Sequence, residues 1–419
     1  MARSDPAGAG TGARDSAAAA PATKRARFWW LVHQWAGLKF SVLLSFVLLT
    51  GTLAVFSAEL DWATRPALRV DPASVSGSVN FPAIAREAAR TRPDHRFRSI
   101  EAPPARAFAA TVTAERPDGS LVFLYAHPIT GEIQGEGHWV GAKRVLRNMH
   151  RHLNMPIWLG VPIVSSLALL LLVSLVTSLI VYKKWWRGFA RPIRTRDART
   201  GIGDFHRLAG VWSLWFVALM ILTGLWYLAE EVAAGAPPAP RPELAAVPMP
   251  VQALPDRLAA GLAAARAADP DLRIERIAFP TDSLGAFKFE GQKAAILVRP
   301  RANAVWTDAR SGAPVMLADA RDMSVHQRIA EAADPLHFGT FGGYWTKIPW
   351  FLFGLLLTGL SISGVMLYAM RIGRSKRLRG EGKGMLARGW MGMGPWRWPA
   401  TALVLVSFIL LPTLFSVGD

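Results

Sequence analysis

The chain of 419 residues contains no cysteine, which excludes thiolate-bound iron–sulfur clusters, disulfide bridges and thiol catalysis. It also lacks a Walker loop, a dinucleotide-binding glycine fingerprint between a strand and a helix, and the H-E-x-x-H motif of zinc peptidases. The sequence therefore shows no site for a nicotinamide or flavin cofactor.

Acidic residues are missing from the cores of five long apolar stretches. Each stretch can cross about 30 Å of hydrocarbon at about 1.5 Å per residue, and tryptophans stand at the ends, where indole rings favour the membrane interface. A proton-relay transporter would need acids within its spans, so a transporter component is the weakest functional alternative. The stretches are 40–56, 157–182, 211–228, 348–370 and 398–417.

The net charge of +18 is concentrated in alternate, short segments. Residues 1–29, 183–205 and 371–397 together carry twenty Lys/Arg and five Asp/Glu, whereas 58–149 and 229–348 are nearly balanced. Following the positive-inside rule, this pattern predicts a membrane protein whose N-terminus is cytoplasmic and whose two long loops lie on the opposite side of the membrane. It argues for membrane lipid, and not nucleic acid, as the partner of the basic segments.

These patterns predict an α-helical integral membrane bundle of five spans with two small periplasmic α+β domains. We interpret the first span as an uncleaved anchor, because it is too long for the core of a signal peptide. The predicted segments are a disordered cytoplasmic tail (1–27), the first span (28–57), the first periplasmic domain (58–149), the second span (150–182), a basic cytoplasmic loop (183–205), the third span (206–230), the second periplasmic domain (231–336), the fourth span with its outer approach (337–370), a second basic loop (371–397) and the fifth span (398–417).

Each long loop is predicted to contain one helix followed by short strands. Helical spacing is present over 81–92 in the first loop and over 254–268 in the second. The predicted strands are 106–114 and 120–136 in the first loop, and 274–280, 285–291, 293–300 and 303–312 in the second.

Two parts of the chain share motifs at an offset of 173 residues. The segment "HQWAGL" beginning at His33 matches "HRLAGV" beginning at His206, and a Thr-Gly pair ending at Gly51 matches one ending at Gly224. Both parts begin in the predicted cytoplasm, which indicates that the first four spans form a parallel internal repeat. Equivalent residues would then lie at equal depth in the membrane.

Four of the nine histidines stand at the ends of the first four spans. His33 and His206 fall at the cytoplasmic ends of spans one and three, whereas His150 and His337 fall at the outer ends of spans two and four, with His152 as an alternative to His150. Two imidazoles that face each other at one depth are a usual ligand set for a six-coordinate b-type haem. Alternatively, these histidines merely tolerate the membrane boundary.

Glycines accompany these histidines on the same helical faces. Gly37 and Gly51 lie about one turn and about five turns beyond the first histidine, and Gly210 and Gly224 are placed in the same way on the third span. Glycine beside an inward histidine would leave room for a flat macrocycle near both membrane faces. The alternative is close packing of helices through small residues.

Three basic residues lie close to the candidate ligands. Arg151 and Arg207 each follow a histidine directly, and Lys39 lies six residues beyond one. Such cations could bind haem propionates through charge-assisted hydrogen bonds, or they could reach lipid phosphates.

The motifs "HQWAGL", "MHRHL" at 149–153, "DFHRLAGVW" at 204–212, "DPLHFGTFGG" at 334–343 and "AHPITGEI" at 126–133 resemble those of PepSY-associated transmembrane proteins over about residues 28–372. This family includes iron-regulated inner-membrane proteins of the PiuB and FoxB type, and the latter are similar to haem-containing ferric-siderophore reductases. The resemblance implies two bis-histidine haems b, with axial ligands at His33, His150, His206 and His337.

The resemblance also implies a function. The expected activity is electron transfer from quinol or a separate reductase to a ferric siderophore or another ferric chelate in the periplasm. PepSY domains also occur as peptidase inhibitors, so the alternative is a membrane sensor or peptidase regulator whose histidines are structural. The fifth predicted span lies outside the shared region.

Overall fold

The computed structural model describes residues 24–233, 235–246, 249–281, 283–295, 297–373 and 384–416, so most of the predicted tail lies outside the described residues. These residues are mostly helical. The helices are α1 (Lys24–Leu38), α2 (Ser41–Ala54), α3 (Ser57–Thr64), α4 (Phe81–Thr91), α5 (Ala142–His152), α6 (Ile157–Val181), α7 (Ala198–Trp212), α8 (Leu214–Val232), α9 (Leu254–Ala268), α10 (Val325–Phe338), α11 (Tyr344–Gly373), α12 (Met385–Gly392), α13 (Arg397–Ile409) and α14 (Thr413–Ser416).

Four helical segments of the described chain are long and apolar enough to cross a membrane: α6, α8, α11 and Gly394–Phe415, which contains α13. Helices α1 and α2, of 15 and 14 residues, are too short to qualify alone and do so only as a pair. Their axes differ by 61° at the break between them. The structure therefore contains four candidate spans, or five if the bent pair forms one span. At the break, the Lys39 ammonium donates a hydrogen bond of 3.3 Å to the Gly392 carbonyl.

The extramembrane segments form one antiparallel sheet of eight strands in the order β4-β3-β2-β1-β5-β6-β7-β8. Each segment contributes a meander of four neighbouring strands, and the meanders join where β1 pairs with β5, with Ile100 opposite Ile277. The strands are β1 (Arg96–Glu101), β2 (Ala110–Glu115), β3 (Leu121–Ala126), β4 (Ile133–His138), β5 (Arg273–Ala278), β6 (Ala286–Gln292), β7 (Asn303–Asp308) and β8 (Pro314–Ala318).

One hydrophobic core unites the two meanders, because α4 and α9 pack side by side on the same face of the sheet. Helix α4 begins where the Asn80 side chain accepts a hydrogen bond from the Ala83 N–H, and its apolar residues recur at helical spacing. Ile100 and Ile277 lie fully buried at the centre of this core.

Two of the observed strands, β1 and β8, fall outside the predicted strands. Conversely, the segment 293–300 was predicted as a strand but forms a connection between β6 and β7 in its described residues, with a short 3₁₀ turn at Pro300–Ala302. The prediction of this strand is wrong, because among its described apolar residues Val298 packs beside the sheet, while Ala294, Ala295 and Leu297 are exposed. Val298 is buried there against Ala302 and Ala320.

Three short helices connect the sheet to the long helices. Helix α3 continues the first bent pair, and the Trp62 indole donates a hydrogen bond of 2.7 Å to the Ala107 carbonyl. Helices α5 and α10 lead from the sheet into α6 and α11. We call the end of the helix bundle next to the sheet the sheet side, and the opposite end the far side.

Candidate histidine sites

Two imidazoles face each other on the sheet side. The ring centres of His150 and His337 lie 5.9 Å apart, and their planes are inclined by 38°. We call these residues the sheet-side pair. They come from α5 and α10, the two helices that lead from the sheet into the bundle.

The position of His150 is set by the end of α5 and by a glycine on α2. Leu153 and Asn154 both adopt left-handed backbone conformations, with φ of 57° and 58°, so the chain turns sharply before α6. The His150 ring lies directly on Gly51, where a Cβ atom would come within 2.5 Å of the imidazole Cε1. Any side chain other than hydrogen at Gly51 would displace this imidazole.

His337 lies in the last turn of α10. This helix begins with a capping box formed by Ser324 and Gln327, and ends at Gly339, which adopts φ of 67°. The Trp350 indole covers Gly339 and donates a hydrogen bond of 2.8 Å to the Leu336 carbonyl. The end of α10 is therefore held against α11.

His33 and His206 form the far-side pair. His33 on α1 lies against α6, and His206 on α7 lies against α11, where a Cβ atom on Gly364 would approach the imidazole Cε1 to 3.3 Å. The described ring contacts include the sheet-side pair but not the far-side pair.

In each pair, a backbone carbonyl determines which ring nitrogen of one histidine carries the proton. The Nδ1 atom of His33 lies 3.1 Å from the Ser174 carbonyl oxygen, and Nδ1 of His150 lies 2.8 Å from the Val47 carbonyl oxygen. A carbonyl oxygen can only accept, so Nδ1 must carry the proton in both rings. In a neutral imidazole, Nε2 then has a free lone pair.

Hydroxyl groups fix the other two histidines in the same state. Nδ1 of His206 lies 2.9 Å from the Ser363 hydroxyl, and Nδ1 of His337 lies 2.7 Å from the Thr223 hydroxyl. Both hydroxyls already donate to a backbone carbonyl of their own helix. They therefore accept from Nδ1, and Nε2 again has the lone pair.

The four Nδ1 contacts follow one rule. Each imidazole makes its Nδ1 contact with a residue of a different helix. The ring on α1 contacts α6, the ring on α5 contacts α2, the ring on α7 contacts α11, and the ring on α10 contacts α8. Metal-binding histidines in proteins usually donate their second ring N–H to a carbonyl, carboxylate or water, which orients the ring and raises its basicity. The four imidazoles are therefore arranged as ligands would be.

The separation of the sheet-side pair fits one metal ion between the rings. If one nitrogen of each ring bound the same metal ion from opposite sides, the ring centres would be separated by two metal–nitrogen bonds of about 2 Å plus the distance of each nitrogen from its own ring centre. This sum is about 6 Å. The observed separation is 5.9 Å. The described residues contain no group of three or more His, Cys, Asp or Glu that could hold a metal ion.

The structure distinguishes His150 from the alternative His152. Nδ1 of His152 lies 2.6 Å from the Met155 carbonyl within the same turn, and Gly160 packs against the His152 backbone. His152 thus braces the turn between α5 and α6, and His150 is the residue that faces His337.

The other glycines of the repeat have different surroundings. A Cβ atom on Gly37 would meet nothing within 4 Å, and one on Gly210 would make an ordinary contact of 3.6 Å with Leu360. A Cβ atom on Gly224 would lie 3.0 Å from Ala168, where α8 crosses α6 closely. Gly37 thus faces open space, whereas Gly224 serves helix packing.

The basic residues next to the histidines also differ in their contacts. Arg207 donates to the Gly188 carbonyl at 3.0 Å and to further carbonyls of the loop before α7, so it braces that loop. Lys39 is bound to Gly392, as described above. The Arg151 side chain is exposed on the sheet side beside His150, where it can reach an anion or a lipid phosphate.

In two histidines in or next to the sheet strands, the proton is on the other ring nitrogen. Nδ1 of His127 accepts the Thr130 N–H at 3.2 Å, and Nδ1 of His138 accepts the Val140 N–H at 3.0 Å. Their protons therefore reside on Nε2, which leaves no lone pair on that nitrogen. Both rings stabilise local turns.

Sequence reasoning missed the partners of the imidazoles. Thr223 belongs to the Thr-Gly pair that marked the repeat, but its bond to His337 spans 114 residues. Ser363, Gly364 and Ser174 had no signal at all, because a small residue in an apolar helix resembles any other packing residue.

Apolar helices of spanning length, with an antiparallel sheet at one end of them, define a membrane-associated protein whose long helices contact lipid. The family model described as PepSY-associated TM region matches residues 30–371, so the chain belongs to this family. No curated protein matches the chain.

Proposed function

We propose that the chain is a di-haem electron-transfer protein of the bacterial inner membrane that reduces a ferric siderophore or another ferric chelate on the periplasmic side. The sheet would lie in the periplasm and the far side of the bundle in the cytoplasmic leaflet. The carrying observation is the shared state of four imidazoles, in which Nδ1 donates to a protein acceptor and Nε2 retains its lone pair.

The residues of each pair would have separate tasks. In the sheet-side pair, His150 and His337 would supply the two axial nitrogens, and Gly51 would let the first ring lie flat against α2. In the far-side pair, His33 and His206 would do the same. Haem, when bound, would supply one-electron transfer, and two imidazoles holding its iron would favour electron transfer over oxygen binding.

Fixed Nδ1 partners would serve this function because they hold the rings in one orientation in both oxidation states. The Thr223 and Ser363 hydroxyls, together with two carbonyls, supply acceptors that need no rearrangement. Arg151 is exposed beside His150 and is the basic residue best placed for a propionate on the sheet side.

The electron donor would be membrane quinol or a separate reductase, since the sequence shows no nicotinamide or flavin site. The substrate would meet the protein on the sheet side, where His150 and His337 lie next to the sheet. Catalysis by the chain would consist of holding the redox groups, because the chemistry itself belongs to iron.

Optical spectra of the purified protein in detergent, oxidised and then reduced with dithionite, test the proposal. We expect low-spin b-type spectra and about two haems per chain. The variants His150→Ala and His206→Ala should each remove about one haem. His152→Ala is the matched control and should retain both haems, because its ring faces Met155.

A colourless protein from cells with ample haem would refute the proposal. The peptidase regulator or membrane sensor would then be the better account, and the histidines would be structural. A His152→Ala variant that loses one haem while His150→Ala keeps two would refute the assignment of the ligand alone.

A further inference from the structure

A cluster of charged residues lies between the sheet and the sheet-side pair. Arg299 stands in the connection between β6 and β7 and binds Glu331 of α10 through two hydrogen bonds of 2.7 and 2.8 Å. Its third nitrogen donates to Asp334 at 2.8 Å, and the guanidinium also reaches the Ala330 carbonyl at 3.2 Å. One arginine of the sheet thus holds two successive turns of α10.

These contacts lie on the helical face that leads to the candidate ligand. Glu331, Asp334 and His337 follow one another at intervals of three residues, so they occupy neighbouring turns of one side of α10. Glu331 is buried, and the Arg299 side chain is only 25 % exposed. A buried carboxylate without its cationic partner is strongly disfavoured, so this contact resists opening.

The second oxygen of Asp334 extends the cluster into the helix bundle. It accepts a hydrogen bond of 2.7 Å from the Tyr227 hydroxyl of α8. The Tyr227 ring packs edge-on against the His337 imidazole, with ring centres 5.4 Å apart. The same helix α8 carries Thr223, which accepts the Nδ1 proton of His337.

The electrostatics agree with a fixed, ionised carboxylate at Asp334. Burial alone would raise the pKa of this carboxyl, but the charge of Arg299 and the Tyr227 hydroxyl bring it below its usual value. Asp334 therefore stays ionised at neutral pH, which preserves its hydrogen bonds with Arg299 and Tyr227.

We propose that Arg299 is a positioning residue that couples the eight-stranded sheet to the sheet-side histidine pair by holding α10, through Glu331 and Asp334, in the register that presents His337. This inference rests on the proposed function only where it concerns haem. A movement of the β6–β7 connection, such as one caused by a ligand on the sheet, would be transmitted to His337 along this path.

The neighbouring Arg301 provides a matched control. It also binds Glu331, at 2.9 and 3.1 Å, but its described hydrogen bonds do not include Asp334, and its side chain is 56 % exposed. Arg301→Met removes a positive charge from the same connection without breaking the path to His337.

Hydrogen–deuterium exchange of the haem-free protein is the first test. Arg299→Met should increase exchange of the amides in 325–338 by roughly tenfold, and Arg301→Met should change it by less than about twofold. Arg299→Lys should restore part of the protection. Equal exchange in the two methionine variants, or no change in Arg299→Met, would overturn the inference.

Redox titration and electron paramagnetic resonance of the haem-loaded protein are the second test. In Arg299→Met and in Tyr227→Phe, one of the two haem transitions and its g-values should shift, while the other stays at the wild-type position. Tyr227→Phe keeps every charged residue of the cluster. It therefore still tests the link from Asp334 to His337 if Arg299→Met does not fold.

The two tests separate this inference from the proposed function. If every protein is free of haem, the proposed function fails, and the exchange experiment still decides whether Arg299 holds α10. If both haems are present and neither shifts in Arg299→Met or Tyr227→Phe, the coupling to His337 is wrong while the proposed function stands.

Discussion

The close contact between Gly51 and His150 gives a sharp test of how the sheet-side pair is built. In Gly51→Ala, the new methyl carbon would lie 2.5 Å from the imidazole Cε1 and 2.7 Å from Nδ1. The ring must retreat by roughly 1 Å to reach normal contact distance. The Nδ1 bond to the Val47 carbonyl, now 2.8 Å, would then be broken or badly stretched.

The expected magnitude combines two opposing effects. Replacing glycine by alanine inside a helix stabilises it by about 1 kcal/mol. Leaving the buried Nδ1–H of His150 without an acceptor costs about 1–3 kcal/mol. We therefore expect Gly51→Ala to be about 0–2 kcal/mol less stable than the wild type, by the difference of these two terms.

Gly203→Ala is the matched control. Gly203 also lies within a helix, α7, and its added Cβ would make only an ordinary contact of 3.8 Å with Leu367. This variant should be stabilised by about 1 kcal/mol, because it gains helix propensity without displacing a neighbour.

The thermal stability of both variants is measured in detergent, with size-exclusion chromatography used to monitor unfolding. Each variant is measured first without haem and then after haem loading. Gly51→Ala should unfold below the wild type and bind one haem fewer or more weakly, whereas Gly203→Ala should behave like the wild type or better. Equal stability and equal spectra of the two variants would refute the reasoning, since they would show that His150 does not depend on Gly51.

Two further predictions concern the acceptors around the site and the sheet. Thr223→Val removes the acceptor of the His337 Nδ1–H and should weaken the binding of one haem by about 10- to 100-fold, measured by haem transfer to a competing apoprotein. Thr223→Ser keeps the hydroxyl and should bind haem normally. Unchanged haem binding in Thr223→Val would contradict the assigned protonation of His337. A hydrogen bond from Arg321, together with Lys293, holds the pKa of the Asp319 carboxyl below its usual value. The stabilisation of the fold by the ionised Asp319 carboxylate is therefore complete above the ordinary aspartate pKa of about 4 and is lost as the pH falls below it. In Asp319→Asn, the free energy of unfolding should depend less on pH in the acid range. An identical pH profile of the variant and the wild type would count against a stabilising role of Asp319.

Much of the helical architecture was predictable from local sequence properties. Long apolar stretches with tryptophan ends mark spanning helices because hydrophobicity and length alone decide whether a segment can cross a bilayer. The candidate spans around 157–182, 211–228 and 348–370 correspond to α6, α8 and α11. The predicted first span (28–57) differs, because the structure divides it between α1 and α2, whose axes are inclined by 61°.

The extramembrane fold was predicted only in part. Helical spacing located α4 and α9, because an amphipathic helix shows its buried face in the sequence. The strands β1 and β8 escaped notice, and 293–300 was misassigned, because strand pairing depends on distant partners. The union of two meanders in one sheet rests on the β1–β5 contact between Ile100 and Ile277, which no local pattern encodes.

The sequence by itself singled out His33, His150, His206 and His337, because they stand near the boundaries of the apolar stretches that hydropathy predicts as spans. In the structure they lie on the shorter helices α1, α5, α7 and α10. Only the tertiary structure decided which of His150 and His152 faces His337, which nitrogen of each imidazole carries the proton, and that Arg299 of the sheet grips α10. Those features depend on side chains from distant parts of the chain meeting within hydrogen-bonding distance, and such meetings exist only after the helices have packed.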